Sequence, residues 1–281
     1  MRRARLRHGG RGSRRIVAGL LPGLVLLLAA AAAGPAGGGG ACPVAALEEA
    51  FAAGRHDAVI AAAEGGRCAD LLALGARAAL AQGAFLPPGA ARQRIVETAR
   101  ALAERALEMD PDNVSALLQA AAAYGFRAVE SRSIADVHRA RALLERAEAL
   151  APDNPFVIAA IATWHARTRL GAGGVIGPLF FGARKGAARR RCEEAIARAP
   201  DEPAIVIGCG LTLVALGDEG LARGLALLRD ARALAPKDAF TRALKERAMA
   251  LLAAADEGVE PRALIELARG LLPYADRPPG G

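Results

Sequence analysis

The sequence predicts an all-α fold of antiparallel helix pairs, and three observations carry the prediction. Hydrophobic residues make up 53% of the 281 and aromatic residues only 4%, and much of the apolar content is alanine, which with leucine favours helix. The β-branched and aromatic residues that fill strands are sparse, which excludes an all-β fold. Apolar residues recur at helical spacing, and short proline-bearing turns separate the periodic stretches.

The amino terminus reads as an address. Arg2, Arg3, Arg5, Arg7, Arg11, Arg14 and Arg15 precede an apolar run over 16–33, and small residues fill 34–41. Basic end, hydrophobic centre and small residues for a peptidase are the order of a secretory signal, here 1–36, with cleavage near Ala33 or Ala36. The competing reading is an uncleaved anchor in an inner membrane, facing the periplasm, because the run approaches the roughly 20 residues that span a bilayer. Pro22 and the alanine-rich end weaken that reading. A lipoprotein signal would place leucine three residues before its cysteine, where Gly39 precedes Cys42. Export to a periplasm-like compartment is the expectation, with membrane contact only if the signal stays on the chain. Without the seven arginines the formal charge falls from +8 to about +1, so the remainder lacks the basic stripe of a nucleic-acid binder.

Residues 42–67 predict a small helical hairpin, with short helices over 43–53 and 58–64. The four cysteines, Cys42, Cys68, Cys192 and Cys209, are even in number and contain no CxxC pair or zinc-spaced histidine. In an oxidising compartment a Cys42–Cys68 disulfide would staple this thin hairpin. Cys192 lies eight residues before Pro200 and Cys209 nine after it. A turn at Pro200 would set the two at similar heights on neighbouring helices, and a second disulfide is the expectation there. The alternative is a pair of small buried hydrophobes.

Four turn segments then repeat: Asp110, Pro111 and Asp112 with Asn113; Pro152, Asp153 and Asn154; Pro200, Asp201 and Glu202; Pro236, Lys237 and Asp238. Proline ends one helix and the carboxylate or amide beside it caps the next. Five residues before the prolines stand Ala106, Ala147, Ala195 and Ala231, and twelve before stand Ala99, Ala140, Ala188 and Gly224. Six after the first three stand Leu117, Ile158 and Val206, and ten after stand Ala121, Ala162 and Gly210. Small residues at fixed places let helices approach closely. On these residues the chain resembles the tetratricopeptide family over roughly 68–256, although the proline spacings of 41, 48 and 36 exceed the family's usual length of about 34. The resemblance implies an α-solenoid with helices at about 69–82, 90–109, 113–129, 136–150, 154–169, 184–199, 202–216, 218–234 and 238–255. Arg242 stands where a large apolar residue is expected, which marks the helix after the fourth turn as a cap. A carboxy-terminal helix over 261–271 and a loose tail complete 257–281.

Residues 171–183 predict a loop inserted within one pair. Its glycines invite phosphate-loop readings, but Ile176 and Ala183 stand where such motifs need glycine and lysine, and no strand precedes it. Leu179, Phe180 and Phe181 are expected to pack over the helices or meet a partner. The run Arg184, Lys185, Arg189, Arg190 and Arg191 reads as a solvated face, with an anion patch second. No catalytic constellation appears: His56, His138 and His165 have no ligand spacing, a serine elbow is absent, and Glu145, Glu148, Glu193 and Glu194 read as surface charges. No cofactor or metal is expected.

What the resemblance implies instead is a concave face, and register places Ser115, Leu118, Ala122, Phe126, Phe156, Ala159, Thr163, Arg167, Ile207 and Leu211 on it. Such a face takes an amphipathic helix or extended peptide, with Arg167 available for a carboxylate. The first functional expectation is therefore a non-catalytic exported scaffold for a protein or peptide. The second follows from a likeness to tetratricopeptide components of periplasmic substrate-binding transporters, and is a solute-binding accessory holding a small molecule. The third makes the signal an anchor and the protein a membrane-tethered assembly factor.

Overall fold

A computed structural model of the chain describes residues 42–275, and the described fold is helical without strands. The expected signal, 1–36, and Pro278, Pro279 and the glycines of the tail lie outside the described residues. The helices are α1 (Val44–Ala52), α2 (His56–Glu64), α3 (Ala69–Gly83), α4 (Ala90–Met109), α5 (Val114–Ser131), α6 (Ile134–Leu150), α7 (Pro155–Phe181), α8 (Lys185–Arg198), α9 (Pro203–Leu216), α10 (Gly220–Asp230), α11 (Ala239–Asp256) and α12 (Pro261–Leu271). No helix among the described residues is long and apolar enough to cross a membrane.

The turn segments start helices as their chemistry dictates. Asn113 accepts from the Ala116 N–H at 2.9 Å and Asn154 from Phe156 at 2.9 Å, so each side chain satisfies a donor that the first turn leaves open. Asp238 accepts from Thr241 at 2.7 Å while the Thr241 hydroxyl accepts from the Asp238 N–H at 3.0 Å, a reciprocal cap. The small residues counted from the prolines are buried: Ala99, Ala106, Ala140, Ala147, Ala188 and Ala195 are all at most 1% exposed. Gly224 and Gly210 show why. A Cβ on Gly224 would stand 2.7 Å from the Gly210 carbonyl and one on Gly210 2.5 Å from Leu228, so only glycine lets α9 and α10 cross this closely.

Each helix packs on the next, and alternate helices α3, α5, α7 and α9 also touch in sequence. The last elements then return to the first. Phe240 of α11 stacks on Phe85 at 5.8 Å, Arg77 of α3 reaches Asp238 at 3.3 Å, and Gly54 leaves room for Ala239. The amino-terminal hairpin is α1 and α2, closed on α3 by the Cys42–Cys68 pair at disulfide distance, with Cα atoms 6.3 Å apart.

Three expectations are corrected. Residues 171–183 are not a loop, because helix continues to Phe181 and ends at Gly182, whose φ of +68° forms the left-handed cap. The helix is nevertheless not straight. A Cβ on Gly177 would lie 3.4 Å from the Cα of Arg169, eight residues earlier, where a straight helix separates them by about 12 Å. The chain folds back between those residues, and glycine makes the near contact possible. Pro178 sits just past the fold-back, where a missing N–H costs little. The second correction concerns Cys192 and Cys209, which are buried thiols. They do sit side by side on α8 and α9, and the Cys192 thiol is pushed up by donating to Cys209 and then by burial. Packed among alanines at a close helix crossing, they behave as small hydrophobes. The third is the tail after Pro273: Tyr274 and Ala275 are docked, not loose, with Tyr274 only 2% exposed.

Candidate functional site

The alternate helices and the returning carboxy terminus surround a cup of about 1700 Å³, bounded by the start of α4, the second half of α5, the start of α6, the middle of α7 and α12. Leu118, Ala122 and Phe126 line it at helical spacing on α5, and Thr163 and Arg167 line it on α7, as register predicts. The other expected groove residues lie elsewhere. Ser115 is exposed outside the cup, and Phe156, 47% exposed, stands in the first turn of α7. Ile207 and Leu211 are fully buried, because α10, α11 and α12 cover α9 from all sides; a concave face cannot include them. Phe181 is buried against His138, with ring centres 5.4 Å apart, and its edge also reaches the cup. Phe180 remains 66% exposed.

Sequence reasoning missed several walls. Val129 and Arg132 continue the α5 stripe one turn past Phe126, so the same periodicity carried further would have found them. Trp164 lines the cup and donates its indole N–H to the Val137 carbonyl at 3.3 Å, which fixes the ring. Leu267, Arg269 and Leu272 come from α12 and its end; no local signal announces that this helix returns.

One end of the cup is closed by residues 272–275, which run as a strap from α12 to the start of α4. Tyr274 carries the closure. Its N–H donates to the Ala84 carbonyl at 2.6 Å, its hydroxyl donates to the Leu80 carbonyl at 2.8 Å, and its ring stacks on Phe126 with centres 3.7 Å apart. Burial pushes the hydroxyl well above its ordinary range, so it is a donor at every working pH. Gly83 makes the room, since a Cβ there would meet the hydroxyl at 2.6 Å. Tyr274 holds φ at +56°, a conformation a side chain adopts only when its surroundings enforce it.

Arginines hold the strap's main chain. Arg167 donates to the Pro273 carbonyl at 3.1 Å and the Tyr274 carbonyl at 2.7 Å, so a guanidinium expected to await a ligand carboxylate serves the chain's own backbone. Arg92, 1% exposed, donates to the Ala275 carbonyl at 2.9 Å and pairs with Glu130 at 2.5 Å. A buried charge needs both kinds of partner.

The cup's lining carries an excess of positive charge. Arg92, Arg132, Arg167, Arg169, Lys185 and Arg269 line it against Glu130 and Glu266. Lys185 pairs with Asp218 and Arg269 with Glu266, each at 2.5 Å, whereas Arg132 and Arg169 make no ion pair within 4 Å among the described residues, Arg169 acting on Asp218 only through space. The glutamates weighed for acid–base chemistry are engaged in ion pairs outside the cup: Glu193 with Arg223, Glu194 with Arg191 and Arg198, Glu145 with Arg141, and Glu148 with Arg191. Tyr124 of α5 reaches back to α4, its hydroxyl donating to Glu104. His165 has its Nδ1 buried without a hydrogen-bond partner. Burial first, and then Arg141 and Arg191, lower its pKa below the ordinary 6.5 and keep the ring neutral. No protein-family model matches the chain, and a search of curated proteins finds no match either.

Proposed function

We propose that this chain is an exported, non-catalytic binding protein, built of tetratricopeptide-like helix pairs closed into a single turn, that holds an amphiphilic anion as an accessory of a periplasmic transport system. The observation that carries the reading is the cup. Leu118, Phe126, Val129, Val137 and Trp164 offer an apolar body its walls, while Arg132 and Arg169 offer an anionic head two cations that make no ion pair within 4 Å among the described residues. Apolar walls with a few polar groups are the usual makeup of a ligand site. A volume of about 1700 Å³ exceeds the range of roughly 300–1,000 Å³ typical of small-ligand pockets, which suits a long ligand with accompanying water.

A protein or peptide scaffold is the second reading, and the strap favours it. Residues 272–275 are themselves an extended peptide with main-chain carbonyls held by Arg92 and Arg167, so the same face has the chemistry to read another such segment.

Dye binding separates the two. The anionic fluorophore 1-anilinonaphthalene-8-sulfonate is expected to bind the chain and to be displaced by lauric acid. Ala122→Trp, which places a bulky ring on the α5 wall of the cup, and the pair Arg132→Glu with Arg169→Glu each weaken binding about tenfold, with helicity retained by circular dichroism. Dye binding unchanged in both, or displacement by peptides and not by lauric acid, contradicts the first reading.

A further inference from the structure

Leu179 and Phe180 are the two most exposed large apolar side chains among the described residues, at 72% and 66%. They stand on the returning limb of α7, directly before Phe181, whose ring is buried and whose carbonyl accepts from Arg141 at 2.8 Å. The limb is thus anchored through one residue while its two neighbours project. Cations stand beside it or follow it closely in the chain. Arg141 Nη1 lies 3.3 Å from where a Cβ of Gly182 would stand, Arg190 Nη1 lies 3.6 Å from the same point on Gly186, and Arg169 Cδ lies 3.4 Å from that of Gly177. Arg184, exposed, begins α8. Arg169, Arg184 and Arg190 make no ion pair within 4 Å among the described residues.

We propose that this tip is a membrane-docking element that seats on a bilayer containing anionic lipid. Two projecting apolar side chains are too few for a stable protein interface, which takes on the order of 800 Å² from each partner. They do suit a bilayer, which accepts leucine and phenylalanine at the boundary of its acyl region while arginines bind the lipid phosphates. Docking is peripheral and holds whether or not the cup binds a ligand.

The test uses the full chain with Phe180→Cys labelled by an environment-sensitive nitrobenzoxadiazole dye. Cys192 and Cys209 are buried and Cys42 and Cys68 are paired, so the new thiol is the accessible one among the described residues. A second sample carries the dye at Phe156→Cys, an exposed apolar position in the first turn of α7. Vesicles of equal parts phosphatidylcholine and phosphatidylglycerol are expected to blue-shift the dye at position 180 and leave that at 156 unchanged, and phosphatidylcholine alone to shift neither. Adding Arg184→Glu with Arg190→Glu, both at exposed positions, is expected to abolish the shift. No shift on anionic vesicles, an equal shift at 156, or a shift that survives charge reversal overturns the proposal. So does burial of the dye by a co-purifying protein in the absence of any vesicle response, which assigns the tip to a protein partner.

Discussion

Helices α5 and α9 begin alike, with a proline turn and an acidic or amide cap, yet one faces a cup and the other a solid core. Nearly every residue of α9 is buried, from Pro203 to Leu216, because α10, α11 and α12 close around it. In α5 one face packs through Ala116, Leu117, Ala120 and Ala123, while Leu118, Ala122, Gly125 and Phe126, only partly covered, line the cup. Composition accounts for the contrast. The α9 sequence is apolar all round and asks for cover on every side, whereas α5 interrupts its apolar residues with Ser115, Gln119, Arg127 and Glu130 and is covered on fewer sides. The void is tolerable because residues 272–275 and α12 hold its far wall in place.

Glycine makes the contrast measurable. Gly224→Val is expected to have the largest effect, since the new side chain would press on the Gly210 carbonyl at 2.7 Å and the Val214 nitrogen at 2.8 Å, both backbone atoms that cannot step aside. A loss of about 3 kcal/mol in urea unfolding is expected, and a loss under about 1 kcal/mol would show that α9 and α10 are loosely packed.

The strap comes next. Tyr274→Ala removes the stack on Phe126 and the bond to Leu80, and about 3 kcal/mol is expected to be lost. Hydrogen exchange should then rise at Ala84 and on the cup face of α5 while α9 stays protected. Equal loosening of both regions would mean that the strap supports the whole fold and not the cup alone.

Acid should separate the regions less sharply. His56 and His165 both have pKa values lowered chiefly by burial, so the folded chain resists protons that the unfolded chain accepts at the ordinary 6.5. Their contribution is full above that value and declines as the pH falls through 6.5 toward the lower folded values. The urea midpoint is expected to drop over that window, and to drop less in His165→Gln. A midpoint that rises on acidification would reverse the assigned direction.

The smallest effect is the most diagnostic of open space. Nothing lies within 4 Å of a Cβ built on Gly125, so Gly125→Ala adds helix propensity without a clash. A gain of about 0.5–1 kcal/mol is expected by thermal unfolding. A loss would mean that the α5 side of the cup is packed.

Much of the helix order was legible from turn chemistry, because a proline followed by a capping side chain is a local signal. The Cys42–Cys68 staple was legible for the same reason, with a short hairpin between the two. Ile207 and Leu211 were misplaced because register gives the face a residue shares and not what later covers it; α12 arrives from more than fifty residues away. Pro278, Pro279 and the glycines give the residues after Pro273 the composition of a loose tail, yet Tyr274 is fixed by Ala84, Leu80, Phe126 and Gly83, partners that no pattern within the tail reveals. The fold-back in α7 was half legible: its glycines announce an irregularity, but the docking of Phe181 beside His138 of another helix is not readable from the segment itself.

The central claim is that the closed turn holds a ligand in its cup. Native mass spectrometry of the chain recovered from the periplasm of an expressing cell tests this most directly. The account predicts a discrete added mass, of a small anion with an apolar body, that is absent from Ala122→Trp purified in parallel. A bare chain in both samples, with a protein partner recovered equally by each, would contradict it.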